Sequence, residues 1–159
     1  MMKPILVLGL GNDLLGDDAA GILAVRALQE ELAGKADVVE TALHGLALLD
    51  LFLGYERAII IDAIHTRAHP PGTILELHPE DLPAVETPSP HYTGLPEMLV
   101  LADQLQLDFP QEIIIFALEV IDPYTMGADL TPPVRAALPE VIRRVKEQVD
   151  EWAERKDSL

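Results

Sequence analysis

Aspartates follow short apolar segments at two places in the chain, and their carboxylates could bind a metal ion or transfer protons. Asp17 and Asp18 come soon after the glycine turn that begins at Gly9, and Asp62 closes a run of three isoleucines at 59–61. A carboxylate that ends an apolar strand must find a cation, hydrogen-bond donors or water. Asp62 therefore indicates a function, whereas Asp17 and Asp18, considered alone, could simply cap a helix.

The rest of the composition restricts the chemistry further. The chain has no cysteine, so a metal could be held only by His, Asp, Glu and backbone oxygens. Ser89 and Ser158 are its only serines, and Ser89 lies between prolines without the glycine pattern of a nucleophile elbow. The sequence therefore contains no recognisable serine or cysteine nucleophile.

Length and charge set the class of protein. A chain of 159 residues suits a single domain spanning 1–159. The formal net charge of −16 would repel nucleic acid and anionic membrane surfaces. The apolar runs are shorter than the roughly 20 residues of a membrane span, and the first residues do not have the layout of a signal peptide. We expect a cytoplasmic monomer.

Hydrophobic periodicity predicts strands that alternate with helices. The predicted strands are 4–10, 37–42, 57–64, 73–78 and 112–118. The predicted helices run from 18 to a stop at Gly34, over 46–53, over 95–105, and from Pro132 towards the end of the chain. This order favours an α/β fold: a three-layer α/β/α sandwich with a largely parallel sheet, phosphorylase/hydrolase-like, in which 73–78 could be an edge strand. Loops after parallel strands meet in one crevice, so Asp18 and Asp62 should share it, and His91 lies on a loop that can fold over the same edge.

The glycine turn has two possible interpretations. Residues 9–14 read GLGNDL after a strand, which resembles the start of a dinucleotide-binding turn. However, Leu14 stands where the third glycine is required, and Asp17 and Asp18 would repel a phosphate. A metal- or nucleotide-binding module without catalytic activity remains the alternative to an enzyme.

The same turn also belongs to a longer signature. Residues 9–21 read GLGNDLLGDDAAG and fill every fixed position of G-x-G-N-x-L-x-x-D-(D/E)-x-x-G, the opening signature of the hydrogenase maturation proteases. Weaker similarities to that family follow in IIIDA at 59–63, PGT at 71–73, SPHYTGL at 89–95 and LTPPV at 130–134. The resemblance covers nearly the whole chain and implies a peptidase.

The resemblance also implies a site and a substrate. Carried over residue by residue, the family's nickel-contacting trio is Asp18, Asp62 and His91, which would form both the metal contacts and the catalytic site. The ion would be nickel carried by the substrate, a nickel-loaded large-subunit precursor of a nickel–iron hydrogenase, and no permanently bound cofactor is expected. An endopeptidase of this family removes the precursor's carboxyl-terminal extension after nickel insertion. A water polarised by the metal or by one carboxylate would attack the peptide.

One segment departs from the family pattern. Many members carry Asp-Gly-Gly-Thr-x-Gly after the second strand, whereas residues 40–45 here read ETALHG. Only the acidic first position and the last glycine agree, so we expect a specialised substrate-facing loop in which His44 is an additional substrate contact. His65 and His69, in the turn after the third strand, could line the same crevice, although solvated loop positions are the expectation, and the motif gives no support to His78.

Overall fold

The computed structural model describes residues 3–84 and 95–157. Its strands are β1 (Lys3–Leu10), β2 (Asp37–Thr41), β3 (Tyr55–Ile64), β4 (Ile74–Leu77) and β5 (Glu112–Glu119). Its α-helices are α1 (Ala20–Glu31), α2 (Leu49–Phe52), α3 (Leu95–Gln104) and α4 (Pro132–Asp157). Turns of 3-10 helix precede α1 at Gly16–Ala19 and α2 at Gly45–Leu48, and a third spans Pro79–Ala84.

The strands form one sheet in the order β2-β1-β3-β5-β4. β1 pairs in parallel with β2 and β3, and β3 pairs in parallel with β5. β4 pairs antiparallel with β5 at one edge. The predicted segment 73–78 is therefore an edge strand, as expected. Its antiparallel direction was not indicated by the hydrophobic pattern.

Helices cover both faces of this sheet. On one face, alternate strand residues such as Val7, Ile59 and Phe116 pack with α1 and α4. On the other, Leu8, Ile60 and Ile115 pack with α2 and α3. Because both faces are buried, β1, β3 and β5 are apolar almost throughout. This arrangement confirms the α/β sandwich with a largely parallel sheet.

Helix α4 is the longest helix among the described residues. It buries one stripe, Val141, Val145, Val149 and Trp152, against the sheet and α1. Pro139 lies inside this helix and costs it one backbone hydrogen bond, yet the stripe continues beyond it. Within the described ranges no helix is long and apolar enough to cross a membrane.

Candidate active site

Two glycines let α1 pack against the carboxyl ends of β1 and β3. A Cβ atom on Gly21 would lie 2.5 Å from the carbonyl oxygen of Ile61 and 2.6 Å from that of Leu10. Gly11 has φ +147 and lies so close to the carbonyl of Asp18 that any side chain would collide with it. The glycine turn thus allows the start of α1 to pack closely against the sheet.

Asp18 is held by this turn and does not cap α1. Its Oδ2 accepts a hydrogen bond of 2.9 Å from the backbone N–H of Asn12. The side-chain oxygen of Asn12 in turn accepts one of 2.9 Å from the N–H of Leu14. Neither Asp17 nor Asp18 caps a helix, because the cap positions of this segment, Leu15 and Ala19, make no side-chain cap bond. The capping interpretation is therefore wrong.

Asp62 lies deep in the sheet. It belongs to β3, between β1 and β5, opposite Ala117 of β5, and it is 0% exposed. Its Oδ1 accepts a 2.8 Å hydrogen bond from the N–H of Ala63. Side chains alternate along a strand, so Asp62 is on the same face as Ile60 and Ile64, which pack with α2 and α3. Burying a carboxylate in such apolar surroundings is costly, so packing alone does not explain an aspartate at this position.

The structure brings Asp18 and Asp62 to the same edge of the sheet. The 3-10 turn that carries Asp18 contacts β3, and Gly21, three residues later, touches the carbonyl of Ile61, the residue before Asp62. His91, predicted as the third member of the site, lies outside the described residues. Within residues 3–84 and 95–157, no three His, Asp or Glu side chains are grouped as a metal site.

Asp17 has a role that the sequence did not indicate. It is fully buried, and its carboxylate accepts hydrogen bonds from the N–H groups of Ile121 at 3.0 Å, Asp122 at 2.9 Å and Thr131 at 2.7 Å. The hydroxyl of Thr131 donates to it as well. Asp17 therefore joins the loop before α1 to the loop between β5 and α4, beside the candidate site.

Glu40 is the acidic residue that segment 40–45 shares with the family pattern, and Arg26 links it to the glycine turn. Arg26 of α1 donates to Glu40 at 2.8 Å and to Asp13 at 2.9 Å. The hydrogen bond from Arg26 holds the pKa of Glu40 below its ordinary value. This exposed bridge links the end of β2 to the loop after β1, which gives a structural reason for an acidic residue at position 40.

The other histidines are distributed around the same edge and beyond it. His44 is exposed before the 3-10 turn that leads into α2, and its contact with a substrate stays a prediction. His69 is exposed, and the backbone N–H of His78 donates to Asp81 at 2.9 Å. His65 differs from them because its Nδ1 lies 3.0 Å from the hydroxyl of Tyr124. That contact joins the end of β3 to the loop after β5.

Fold and site together define an α/β protein with acidic residues at the carboxyl edge of a mostly parallel sheet, where such folds place their ligands. The model of the hydrogenase maturation protease family matches residues 22–148, well over half of the chain. The chain therefore belongs to the hydrogenase maturation protease family, as the motif at 9–21 indicated, and is a peptidase.

Individual relatives agree with this assignment. The chain is 33% identical over 147 residues to the hydrogenase 2 maturation protease of Escherichia coli (strain K12), covering 89% of this chain and 87% of that protein. It is 30% identical over 153 residues to the hydrogenase expression/formation protein HupD of Rhizobium leguminosarum bv. viciae, covering 93% and 75%. The solved structure of the hydrogenase maturating endopeptidase HybD from E. coli matches with a TM-score of 0.78 at 29% identity, covering 94% and 93%. The [NiFe] hydrogenase maturation protease HybD from Thermococcus kodakarensis matches with a TM-score of 0.72 at 27% identity, covering 92% and 99%.

Proposed function

We propose that this endopeptidase removes the carboxyl-terminal extension from the large-subunit precursor of a nickel–iron hydrogenase. It acts after nickel has been inserted and recognises the nickel that the substrate carries. Family membership supports a role in hydrogenase maturation, and relatives are named as maturation proteases of hydrogenases. The nature of the site supports the dependence on a metal.

The observation that carries the proposal is that the turn holding Asp18 packs against β3, the strand that holds Asp62. Both carboxylates accept hydrogen bonds from backbone donors, from Asn12 and Ala63 respectively. If the two carboxylates meet in one site, their negative charges repel each other unless a cation offsets them. A nickel ion arriving with the substrate supplies that cation.

The donor set suits such an ion. Carboxylate oxygens and an imidazole nitrogen are ligands that nickel accepts, and the family resemblance supplies His91 as the imidazole. Three protein ligands would leave coordination positions for groups that belong to the substrate. A water polarised by the metal or by one carboxylate would attack the carbonyl carbon of the peptide bond; the C–N bond would break, and the proton that the water loses would pass to the leaving amine. In this proposal the two aspartates contact the metal.

The alternative, a binding module without catalytic activity, has less support. The chain belongs to a family of peptidases. For a nucleotide, the N–H groups of the glycine turn would have to face a phosphate, but the N–H of Asn12 already donates to Asp18. The turn is therefore engaged within the protein.

The deciding experiment compares a large-subunit precursor loaded with nickel and the same precursor without it. After incubation with this protein, mass spectrometry should show loss of the carboxyl-terminal extension from the nickel-loaded form alone. An unfolded substrate such as casein should stay intact. If a nickel-loaded precursor from the proper partner hydrogenase is not shortened, the proposal is wrong. Shortening of both forms would remove nickel recognition from it.

A further inference from the structure

The turn that follows β3 is held in a strained shape by a buried carboxylate. Glu119, the last residue of β5, is 1% exposed and accepts hydrogen bonds from the N–H groups of Thr66 at 2.9 Å and Arg67 at 3.2 Å. The hydroxyl of Thr66 also donates to it. Arg67 has φ +62, in the left-handed region that residues other than glycine rarely adopt. Backbone strain of this kind is found where a structure must aim a side chain.

The side chain of Arg67, whose backbone this turn holds, approaches the imidazole of His65. Nε of Arg67 lies 3.5 Å from Nε2 of His65, and Nδ1 of His65 lies 3.0 Å from the hydroxyl oxygen of Tyr124. The two rings also meet edge to face, with centroids 5.5 Å apart. A guanidinium can only donate, so the approach of Arg67 favours the tautomer of His65 in which Nε2 accepts and Nδ1 carries the proton. In that tautomer His65 donates to the hydroxyl oxygen of Tyr124, and the hydroxyl proton of Tyr124 points to another acceptor.

The backbone around Tyr124 is fixed although its ring is exposed. The N–H groups of Tyr124 and Thr125 both donate to Oδ1 of Asp122 at 3.0 Å. The carbonyl of Asp122 accepts from the N–H of Asp17 at 2.8 Å, and a Cβ atom on Gly16 would lie 2.5 Å from that same oxygen. Tyr124 is nevertheless 68% exposed. A firmly held loop thus presents an exposed phenol next to the segment that carries Asp18.

Two further apolar side chains lie on the same pair of loops. Leu14 is 59% exposed and Met126 is 75% exposed. Their loops are joined because the N–H of Gly127 donates to the carbonyl of Leu14 at 2.8 Å, and Leu15 forms an antiparallel bridge with Met126. Scattered apolar residues are ordinary on a protein surface, but these three lie on bonded loops beside the candidate active site. We call Leu14, Tyr124 and Met126 the apolar ledge.

We propose that Tyr124, oriented by His65, binds the polypeptide substrate: its hydroxyl donates a hydrogen bond to a backbone carbonyl oxygen of the substrate, whose apolar side chains rest on Leu14 and Met126. The inference rests on the proposed function and adds to it a binding surface. A polypeptide is the occupant that fits, because it offers both carbonyl acceptors and apolar side chains, and the substrate of a peptidase must reach this edge. His65 acts through Tyr124 and is a positioning residue.

The test measures binding and cleavage separately, on the nickel-loaded large-subunit precursor. Tyr124→Phe keeps the ring and removes the donor, so its Kd and KM should rise about fivefold, the effect of one hydrogen bond, while kcat stays within about twofold. His65→Ala should raise Kd and KM by a similar factor. The double variant should bind no more weakly than either single variant, because both changes act on the same hydrogen bond from Tyr124 to the substrate. His65→Gln keeps an amide donor and should recover part of the loss.

The apolar part of the ledge has a matched control. Leu14 and Leu105 are both 59% exposed, but Leu105 follows α3, outside the ledge. Leu14→Ala should raise Kd several-fold, and Leu105→Ala should leave it unchanged.

Equal Kd values for Tyr124→Phe and the unchanged protein would overturn the inference, as would a loss confined to kcat. If the precursor binds but is not cut, the proposed cleavage fails while a rise in Kd for Tyr124→Phe still supports the ledge. If the precursor does not bind at all, both fail.

Discussion

Gly21 touches the carbonyl of Ile61 so closely that a Cβ atom on it would lie 2.5 Å from that oxygen. The contact joins the first turn of α1 to the strand residue before Asp62. Since Asp18 precedes Gly21 by three residues, this close approach is what brings the two carboxylates of the candidate site to one edge.

Gly21→Ala should therefore destabilise the protein. Alanine is favoured over glycine inside a helix by about 1 kcal/mol, so helix propensity alone predicts a gain in stability. The collision with the carbonyl oxygens of Ile61 and Leu10 should reverse the sign and cost about 1–3 kcal/mol. Urea unfolding measures the change, with Gln29→Ala on the exposed side of α1 as the neutral control. A stabilised Gly21→Ala variant would contradict the close packing.

Asp17 and Asp18 are neighbours with opposite expected roles. Asp17→Asn removes the charge that accepts from three backbone N–H groups and the Thr131 hydroxyl, and should lower the free energy of unfolding by about 2–4 kcal/mol. Asp18→Asn keeps an oxygen that can accept the hydrogen bond from the N–H of Asn12, so its stability should change less than that of Asp17→Asn, by about 1 kcal/mol. Processing of the precursor should be lost in Asp18→Asn. The two variants make the same chemical change, so equal effects on stability would refute the division of roles.

Asp62→Asn should abolish processing and leave the fold intact. The amide has the same shape and can still accept from Ala63, but it cannot supply the negative charge that a metal requires. We expect processing to fall by at least about 100-fold. The loss should appear in a gel assay of precursor shortening, with unchanged circular dichroism. Asp103→Asn on the exposed side of α3 provides the control. Normal processing by Asp62→Asn would remove this residue from the site.

The raised pKa of Tyr55 predicts that the protein loses stability at alkaline pH. Burial, and then its 2.6 Å hydrogen bond to Asp37, raise the pKa of Tyr55 from 10.0 to about 12. Because the folded-state pKa is the higher one, the stabilisation is complete below pH 10 and is lost as the pH rises through 12. Tyr55→Phe lacks this group, so at pH 8 it should be less stable by about 1 kcal/mol. The difference from the unchanged protein should shrink between pH 10 and 12 in urea unfolding. A constant difference would contradict the shift.

The parts of the fold that could be predicted are those whose signal is local. β3 was expected over 57–64 and spans Tyr55–Ile64, because a strand buried on both faces is apolar along its length. A long last helix from Pro132 was also expected, because proline suits the first turn of a helix, and α4 spans Pro132–Asp157. The direction of β4 could not be predicted, since an alternating pattern is the same in parallel and antiparallel strands.

Part of the surroundings of the candidate site was also predictable. The approach of the turn that carries Asp18 to β3, which carries Asp62, was expected because β1 and β3 run in parallel. The bonds of Asp17 could not be predicted, because its partners lie more than 100 residues away in sequence and nothing local distinguishes a buried acceptor from a helix cap. The pairing of His65 with Tyr124 could not be predicted either, because the two residues are 59 positions apart and no local pattern connects them.

The hydrogen bonds of Asp17 have a consequence for exchanging parts between members of this family. The loop before α1 and the loop between β5 and α4 share one buried acceptor, so a transplanted loop must keep the carboxylate of position 17 within reach of the backbone donors at 121, 122 and 131. A chimera designed to process another hydrogenase should carry both loops from the same parent. The two loops should therefore be exchanged as one unit, although more than 100 residues of chain separate them.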